Sequence, residues 1–209
     1  MIYPNFFEEK KLWRKGFKIV IGLDEAGRGP LAGPVVAGAI CFPQNFEFKI
    51  LHGIKDSKKL NEKQRDYFYK ILTTNSNIRW GVGIVSEKII DRINILQATK
   101  LAMKKAIEQI GVEPDFILLD GNFNVEFYCA TKQKCIVNGD AKVISCCAAG
   151  IIAKVTRDRI MKKYHEKYPE YGFDKNKGYP TSAHFTCLKS FGPCKIHRKS
   201  FYPINNFIK

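Results

Sequence analysis

The sequence has no run of about 18 or more apolar residues, which excludes a transmembrane helix. Its start, MIYPNFFEEKKLWRKGFK, also lacks the apolar segment of about 7–15 residues that a secretory signal needs, so a cytoplasmic protein is expected. CxxC pairs are missing, and the seven cysteines, at 41, 129, 135, 146, 147, 187 and 194, are odd in number. A zinc site of closely spaced pairs and a secreted disulfide framework are both disfavoured, leaving reduced, mostly buried thiols. No internal repeat or low-complexity tract is present. Acidic residues are scarce, 20 against 35 Lys plus Arg, for a net charge of +15. The imbalance is concentrated in residues 141–209, which hold 14 basic and 4 acidic side chains. Such a surface attracts a polyanion, and nucleic acid is the expected partner. A length of 209 residues suggests one domain, 1–209, whose last part, from about 165, forms a helical or irregular extension.

What is present begins with IVIGLDEAGRGPLAGP at 19–34. Residues 18–24 are apolar and β-branched and predict a buried strand, and 34–42 predict a second, joined to the first as a hairpin by a glycine-rich loop. Residues 61–73 predict a helix with Asn61 as N-cap, and 79–85 a third strand. Ser86 caps a short helix to Ile93, and an amphipathic helix follows over 95–110. Strands are expected at 115–119 and 134–138, and a helix over 141–167 that Pro169 stops. Residues 171–180 read as loop, Thr181 caps a last helix to about 190, and 191–209 read as irregular. Early strands followed by alternating helix and strand predict an α/β fold with a mixed sheet.

Asp24 closes the first strand and Asp120 closes the strand at 115–119. If these strands are parallel neighbours, both carboxylates emerge at the carboxyl edge of the sheet, where α/β sheets bind ligands. Glu25 reaches the same space from the loop, and Asp140 does so from the start of a helix. Clustered carboxylates repel one another unless a hard cation such as Mg²⁺ lies among them. Two such ions can activate water and stabilise a leaving oxygen in phosphodiester cleavage. Taken singly, Asp120 could instead be a turn residue and Asp140 a helix cap. Gly27, Arg28 and Gly29 do not make a dinucleotide fingerprint: Gly33 falls one position late for GxGxxG and Pro30 intrudes. Glycines there suit close approach of the backbone to a ligand.

These residues carry a resemblance. DEAGRGPLAGPVVA at 24–37, DSKKL at 56–60, NILQAT at 94–99, LLDGN at 118–122, GD at 139–140, AAGIIAKVTRDR at 148–159, KGYPTSAH at 177–184 and HRKSF at 197–201 follow in the order of bacterial ribonuclease HII, the type 2 ribonuclease H, which the chain resembles from about 18 to 201. The resemblance implies an RNase H-like fold, a five-stranded mixed sheet flanked by helices with a C-terminal helical extension. It implies an endonuclease that hydrolyses the RNA strand of RNA–DNA hybrids and incises 5′ of single ribonucleotides in duplex DNA, leaving 5′-phosphate and 3′-hydroxyl ends. Asp24, Glu25, Asp120 and Asp140 would hold two Mg²⁺ or Mn²⁺ ions. Gly27, Arg28, Gly29 and Tyr179 would read the ribose 2′-hydroxyl, and Lys58, Lys59 and Lys154 would contact phosphates. A monomer is expected. Asp158 is the alternative fourth ligand, although its place among basic residues favours an ion pair. Gly150 departs from the family's usual serine, whose hydroxyl would bind a phosphate; Gly150→Ser would then lower KM. Among the histidines, His184 is expected to pack or cap, and His197 to touch backbone phosphate from a basic segment.

Overall fold

The computed structural model describes residues 3–126 and 131–207. Five strands form one mixed sheet. Strand β1 (Val20–Ala26) pairs antiparallel with β2 (Val35–Cys41), and β2 with β3 (Arg79–Val85). The other edge of β1 pairs parallel with β4 (Phe116–Asp120), and β4 parallel with β5 (Lys132–Ile136), giving the order β3-β2-β1-β4-β5. The expected hairpin and the parallel pairing of the two acid-bearing strands are both present. β1 runs two residues beyond Asp24, so Asp24 and Glu25 lie inside the strand, not at its end.

The helices are α1 (Phe7–Arg14), α2 (Glu62–Thr74), α3 (Glu87–Ile110), α4 (Ile144–Lys167), α5 (Phe173–Asn176) and α6 (Ser182–Phe191). Asn61 caps α2 in a reciprocal capping box, its side chain accepting from the Gln64 amide while the Gln64 side chain accepts from the Asn61 amide. The two helices expected at 86–93 and 95–110 are both present within α3, separated at Asn94, whose φ 64° and ψ 167° are not helical and whose side chain accepts from the amides of Leu96 and Gln97 at the start of the second. Three expectations need correction: β5 begins two residues earlier than read, α4 begins at Ile144, and residues 171–180 hold α5 after a 3-10 turn at Pro169–Tyr171. Helix α1 adds to the expected elements, with Glu8 and Glu9 in its first turn and Lys11 and Arg14 in its last.

Two-residue periodicity sorts the side chains of the sheet. Ile21 and Leu23 of β1 and Ile117 and Leu119 of β4 join Ala98, Ala102 and Met103 of α3 in one core. Val20 and Leu118 face the other way, against Cys146 of α4 and Leu12 of α1. Asp24 and Asp120 keep step with Val20 and Leu118, so both belong to the α4 face. Glu25 keeps step with Leu23 and belongs to the α3 face. A further core joins Leu31 and Ala32 to Met161 of α4 and to Tyr171, Phe173, Leu188, Ile196 and Ile204, which folds the C-terminal segment back onto the loop after β1. Cys129 lies outside the described residues; the other six cysteines are free thiols. Among the described residues, no helix is long and apolar enough to cross a membrane.

Candidate active site

Asp24, Asp120 and Asp140 converge at the carboxyl edge of β1 and β4, each offering a carboxylate oxygen within 4.8 Å of the others. β1 and β4 supply the first two through their register, which sets Leu23 beside Leu119 and brings the following aspartates together. Asp120 is fixed by the Gly139 amide, which donates to Oδ1 at 2.7 Å. Asp140 sits in a 3-10 turn, Gly139–Ala141, that follows Asn138 at φ 56°. It is therefore placed by a turn before α4, not by the helix itself.

Glu25 stands outside this group because adjacent strand residues point to opposite faces. Its Oε1 accepts from Arg28 Nη1 at 3.2 Å. Its Oε2 is buried and has no partner.

The electrostatics are those of a site short of positive charge. Burial pushes the Asp24 carboxyl well above its ordinary range, and Glu25, Asp120 and Asp140 push it further. Burial also raises Asp120, against the Gly139 amide and Lys58, and raises Asp140 together with Asp120 and Asp56. Glu25 is raised by burial in spite of Arg28. Lys58 Nζ stands 3.7 Å from Asp140 Oδ2. Burial alone would lower the Lys58 ammonium, but Asp140, Asp24, Asp56 and Asp120 outweigh it and raise it. Three converging carboxylates, raised by burial, fit a hard divalent cation, which takes oxygen ligands and supplies the missing positive charge.

Around the acids stand the residues expected to read the substrate. Gly27 has φ 97°, and a Cβ there would lie 2.1 Å from Arg157 Nε, so only glycine fits. Tyr179 is 40% exposed and lies across from Gly29, where an added Cβ would be 3.8 Å from its ring. The Lys154 ammonium lies 6.0 Å from the Tyr179 ring centre and pairs with Asp158 at 2.9 Å. Asp158 thus has the ion-pair role expected of it and lies outside the acidic group, although its partner is Lys154 and not a neighbouring arginine. Lys59 is exposed beside Lys58 in the short turn Ser57–Lys59.

Two expectations change. His197 is 2% exposed, so it does not reach a phosphate, while His184 is fully buried and packs, as expected. Gly150 faces Asp24: a Cβ there would lie 2.2 Å from Asp24 Oδ2. A serine would first meet this carboxylate, not a substrate phosphate. Gly150→Ser is therefore expected to force Asp24 toward the other acids and to cost the metal-free protein about 1–3 kcal/mol of stability. Mn²⁺ should restore part of that. Thermal unfolding with and without Mn²⁺ reads this directly; unchanged stability with a lowered KM would return the position to a phosphate-contact role.

Sequence reasoning missed Arg157 and Arg198, 1% and 0% exposed. Arg198 donates to the carbonyls of Gly33, Arg28 and Gly27, and Arg157 to those of Pro34 and Ala32. A basic run reads as a solvated face, and both sets of partners lie more than a hundred residues away in sequence.

A five-stranded sheet of this order with acids at its carboxyl edge is that of the ribonuclease H-like fold. The profile of the family described as Ribonuclease HII matches residues 21–204. Ribonuclease HII of Chlamydia trachomatis is 51% identical over 208 residues, covering 97% of this chain and 93% of that protein. Ribonuclease HII of Bacillus subtilis is 46% identical over 206 residues, covering 98% and 78%. The crystal structure of ribonuclease H2 from Pyrococcus horikoshii OT3 superposes with a TM-score of 0.72 at 29% identity, covering 90% of this chain and 96% of that one. The chain belongs to the ribonuclease HII family.

Proposed function

We infer that this ribonuclease H cleaves the RNA strand of RNA–DNA hybrids and also incises duplex DNA on the 5′ side of a single embedded ribonucleotide. The observation that carries the reading is the juxtaposition of the three aspartates with a bare loop at 27–29 facing Tyr179. The acids supply the chemistry and the loop supplies a test for the 2′-hydroxyl, the group that separates RNA from DNA.

Asp24, Asp120 and Asp140 would hold a divalent cation, and Glu25 would add its unpartnered Oε2 from the opposite face of β1. Two Mg²⁺ or Mn²⁺ ions bound there would generate the nucleophile from water and stabilise the departing 3′-oxygen. The chain's own residues do the rest. Lys58, beside Asp140, would pass from the acids to a substrate phosphate once a cation has entered. Lys154, held by Asp158 near the Tyr179 ring, and exposed Lys59 extend the cationic surface along the backbone. Tyr179 would stack on the ribose whose 2′-hydroxyl meets the backbone at 27–29. The protein would act on nucleic acid as a monomer and without a membrane.

Product ends test this chemistry. A labelled RNA–DNA hybrid cut by the protein with Mg²⁺ or Mn²⁺ should yield 3′-hydroxyl ends that a polymerase extends and 5′-phosphate ends that a ligase joins. A 2′,3′-cyclic phosphate would show that the ribose 2′-oxygen is itself the nucleophile and would overturn the role given to the acids.

A further inference from the structure

Both halves of the reading surface are tied to one dipeptide of the C-terminal segment. Arg198 spreads its guanidinium under the loop after β1: Nε donates to Gly33 O at 3.0 Å, Nη1 to Arg28 O at 2.9 Å and Nη2 to Gly27 O at 2.6 Å. The peptide unit is planar and trans, so a carbonyl turned inward turns the next N–H outward. Anchoring Gly27 O and Arg28 O therefore aims the amides of Arg28 and Gly29 away from Arg198.

The other half is held by His197. The Cys194 amide can only donate, and it does so to His197 Nδ1 at 2.9 Å. That leaves the proton of neutral His197 on Nε2, which lies 3.0 Å from His184 Nε2 and donates to it. His184 must then carry its proton on Nδ1, which donates to the Tyr179 carbonyl at 2.9 Å. A single tautomer of each ring satisfies the relay from the Cys194 amide to the Tyr179 carbonyl, and the longer 3.3 Å approach of the Cys194 carbonyl to His197 Nδ1 then carries no proton. The halves also meet directly, since Leu31 N donates to Gly178 O and Arg198 N donates to Leu31 O, both at 2.8 Å.

Neither Arg198 nor Arg157 forms an ion pair among the described residues, and Arg157 Nη1 is buried without any partner. A buried charge answered by carbonyls and an aromatic ring, Tyr179 for Arg157 and Phe201 for Arg198, with no carboxylate, is a poor way to gain stability. It is a precise way to orient a loop, because the planar fork fixes several acceptors at once.

We propose that Arg198, and His197 acting through His184, are positioning residues, which hold the loop at 27–29 and Tyr179 in register so that a ribose 2′-hydroxyl is told from a deoxyribose. This rests on the reading of that loop and Tyr179 given above. The dipeptide touches neither the acids nor the substrate, so its loss should lower discrimination and leave metal binding alone.

The test compares affinity for a DNA duplex with one ribonucleotide and for its all-deoxy twin, in Mn²⁺, on an Asp120→Asn background so that nothing is cut. Arg198→Lys keeps the charge and loses the fork. His184→Phe removes the donor to Tyr179, and His184→Asn keeps a donor near the Nδ1 position. The preference for the ribonucleotide duplex should fall about tenfold in Arg198→Lys and His184→Phe, the worth of one hydrogen bond. It should be partly recovered in His184→Asn, and Mn²⁺ affinity by calorimetry, read without nucleic acid on the same variants with Asp120 intact, should stay within about twofold throughout. If Arg198→Lys fails to fold, the two His184 variants carry the same test. Unchanged preference in variants that still melt cooperatively overturns the proposal alone. No preference in the Asp120→Asn parent overturns the reading of the loop, and the proposal with it.

Discussion

Asp120→Asn is expected to abolish cleavage while leaving the protein folded. The asparagine Oδ1 can still accept from the Gly139 amide, the 2.7 Å contact that fixes this side chain at the end of β4. What is lost is one negative charge from a group of three carboxylates whose oxygens lie within 4.8 Å. A cation that polarises a phosphoryl oxygen contributes several kcal/mol to the transition state, so losing its site should slow the reaction about 10³-fold or more. The loss should appear in kcat with KM for the hybrid little changed, because the lysines and the loop at 27–29 are untouched. Single-turnover rates with saturating Mg²⁺ and Mn²⁺ measure this. A variant that retains more than about a tenth of the rate would place the metals elsewhere.

Divalent cations are expected to stabilise the protein strongly, and more so at alkaline than at acidic pH. The carboxyls of Asp24, Asp120 and Asp140 are all raised by burial, Asp24 also by Glu25, Asp120 and Asp140, and Asp140 also by Asp120 and Asp56. A group raised on folding favours the folded state in its protonated form. Its contribution is complete below about pH 4, the ordinary carboxyl value, and is lost as pH rises through the raised value. The metal-free protein at pH 8 thus carries a repulsion that it lacks at pH 4. A bound cation removes that repulsion and adds binding energy, about 2.7 kcal/mol at a hundredfold excess over Kd. For a chain of this size that is a rise of roughly 5–10 °C in Tm. Thermal unfolding at pH 5 and pH 8, with and without Mg²⁺, should show the larger rise at pH 8, much reduced in Asp120→Asn. An equal rise at both pH values, or none, would mean that the acids do not hold the ion.

The parts of the site legible in the sequence were those encoded by local pattern. Asp24 and Asp120 each follow a short apolar strand, and once those strands pair in parallel the shared face follows from a period of two. The Asn61 cap was legible because its whole hydrogen-bond pattern lies within four residues. Features that depend on distant partners were not. Helix α1 is short, and its buried Glu9 is explained only by the Ser145 amide, which donates to it from the start of α4. The edge strand β5 reads KQKCI, polar enough to blur its start. Gly150 reads in sequence as a missing phosphate contact, whereas the fold sets it against Asp24. Arg157, His197 and Arg198 sit in stretches that read as basic surface, yet the fold buries them against a loop from the opposite end of the chain.

The central claim is that the acids and the loop at 27–29 work on one and the same nucleotide junction. The most direct measurement is mapped cleavage of an end-labelled DNA duplex carrying a single ribonucleotide, run beside its all-deoxy twin with Mg²⁺ or Mn²⁺. The account predicts one metal-dependent cut, on the 5′ side of the ribonucleotide, and no cut in the twin. Cutting of both duplexes, or of neither while long hybrids are hydrolysed, would contradict it.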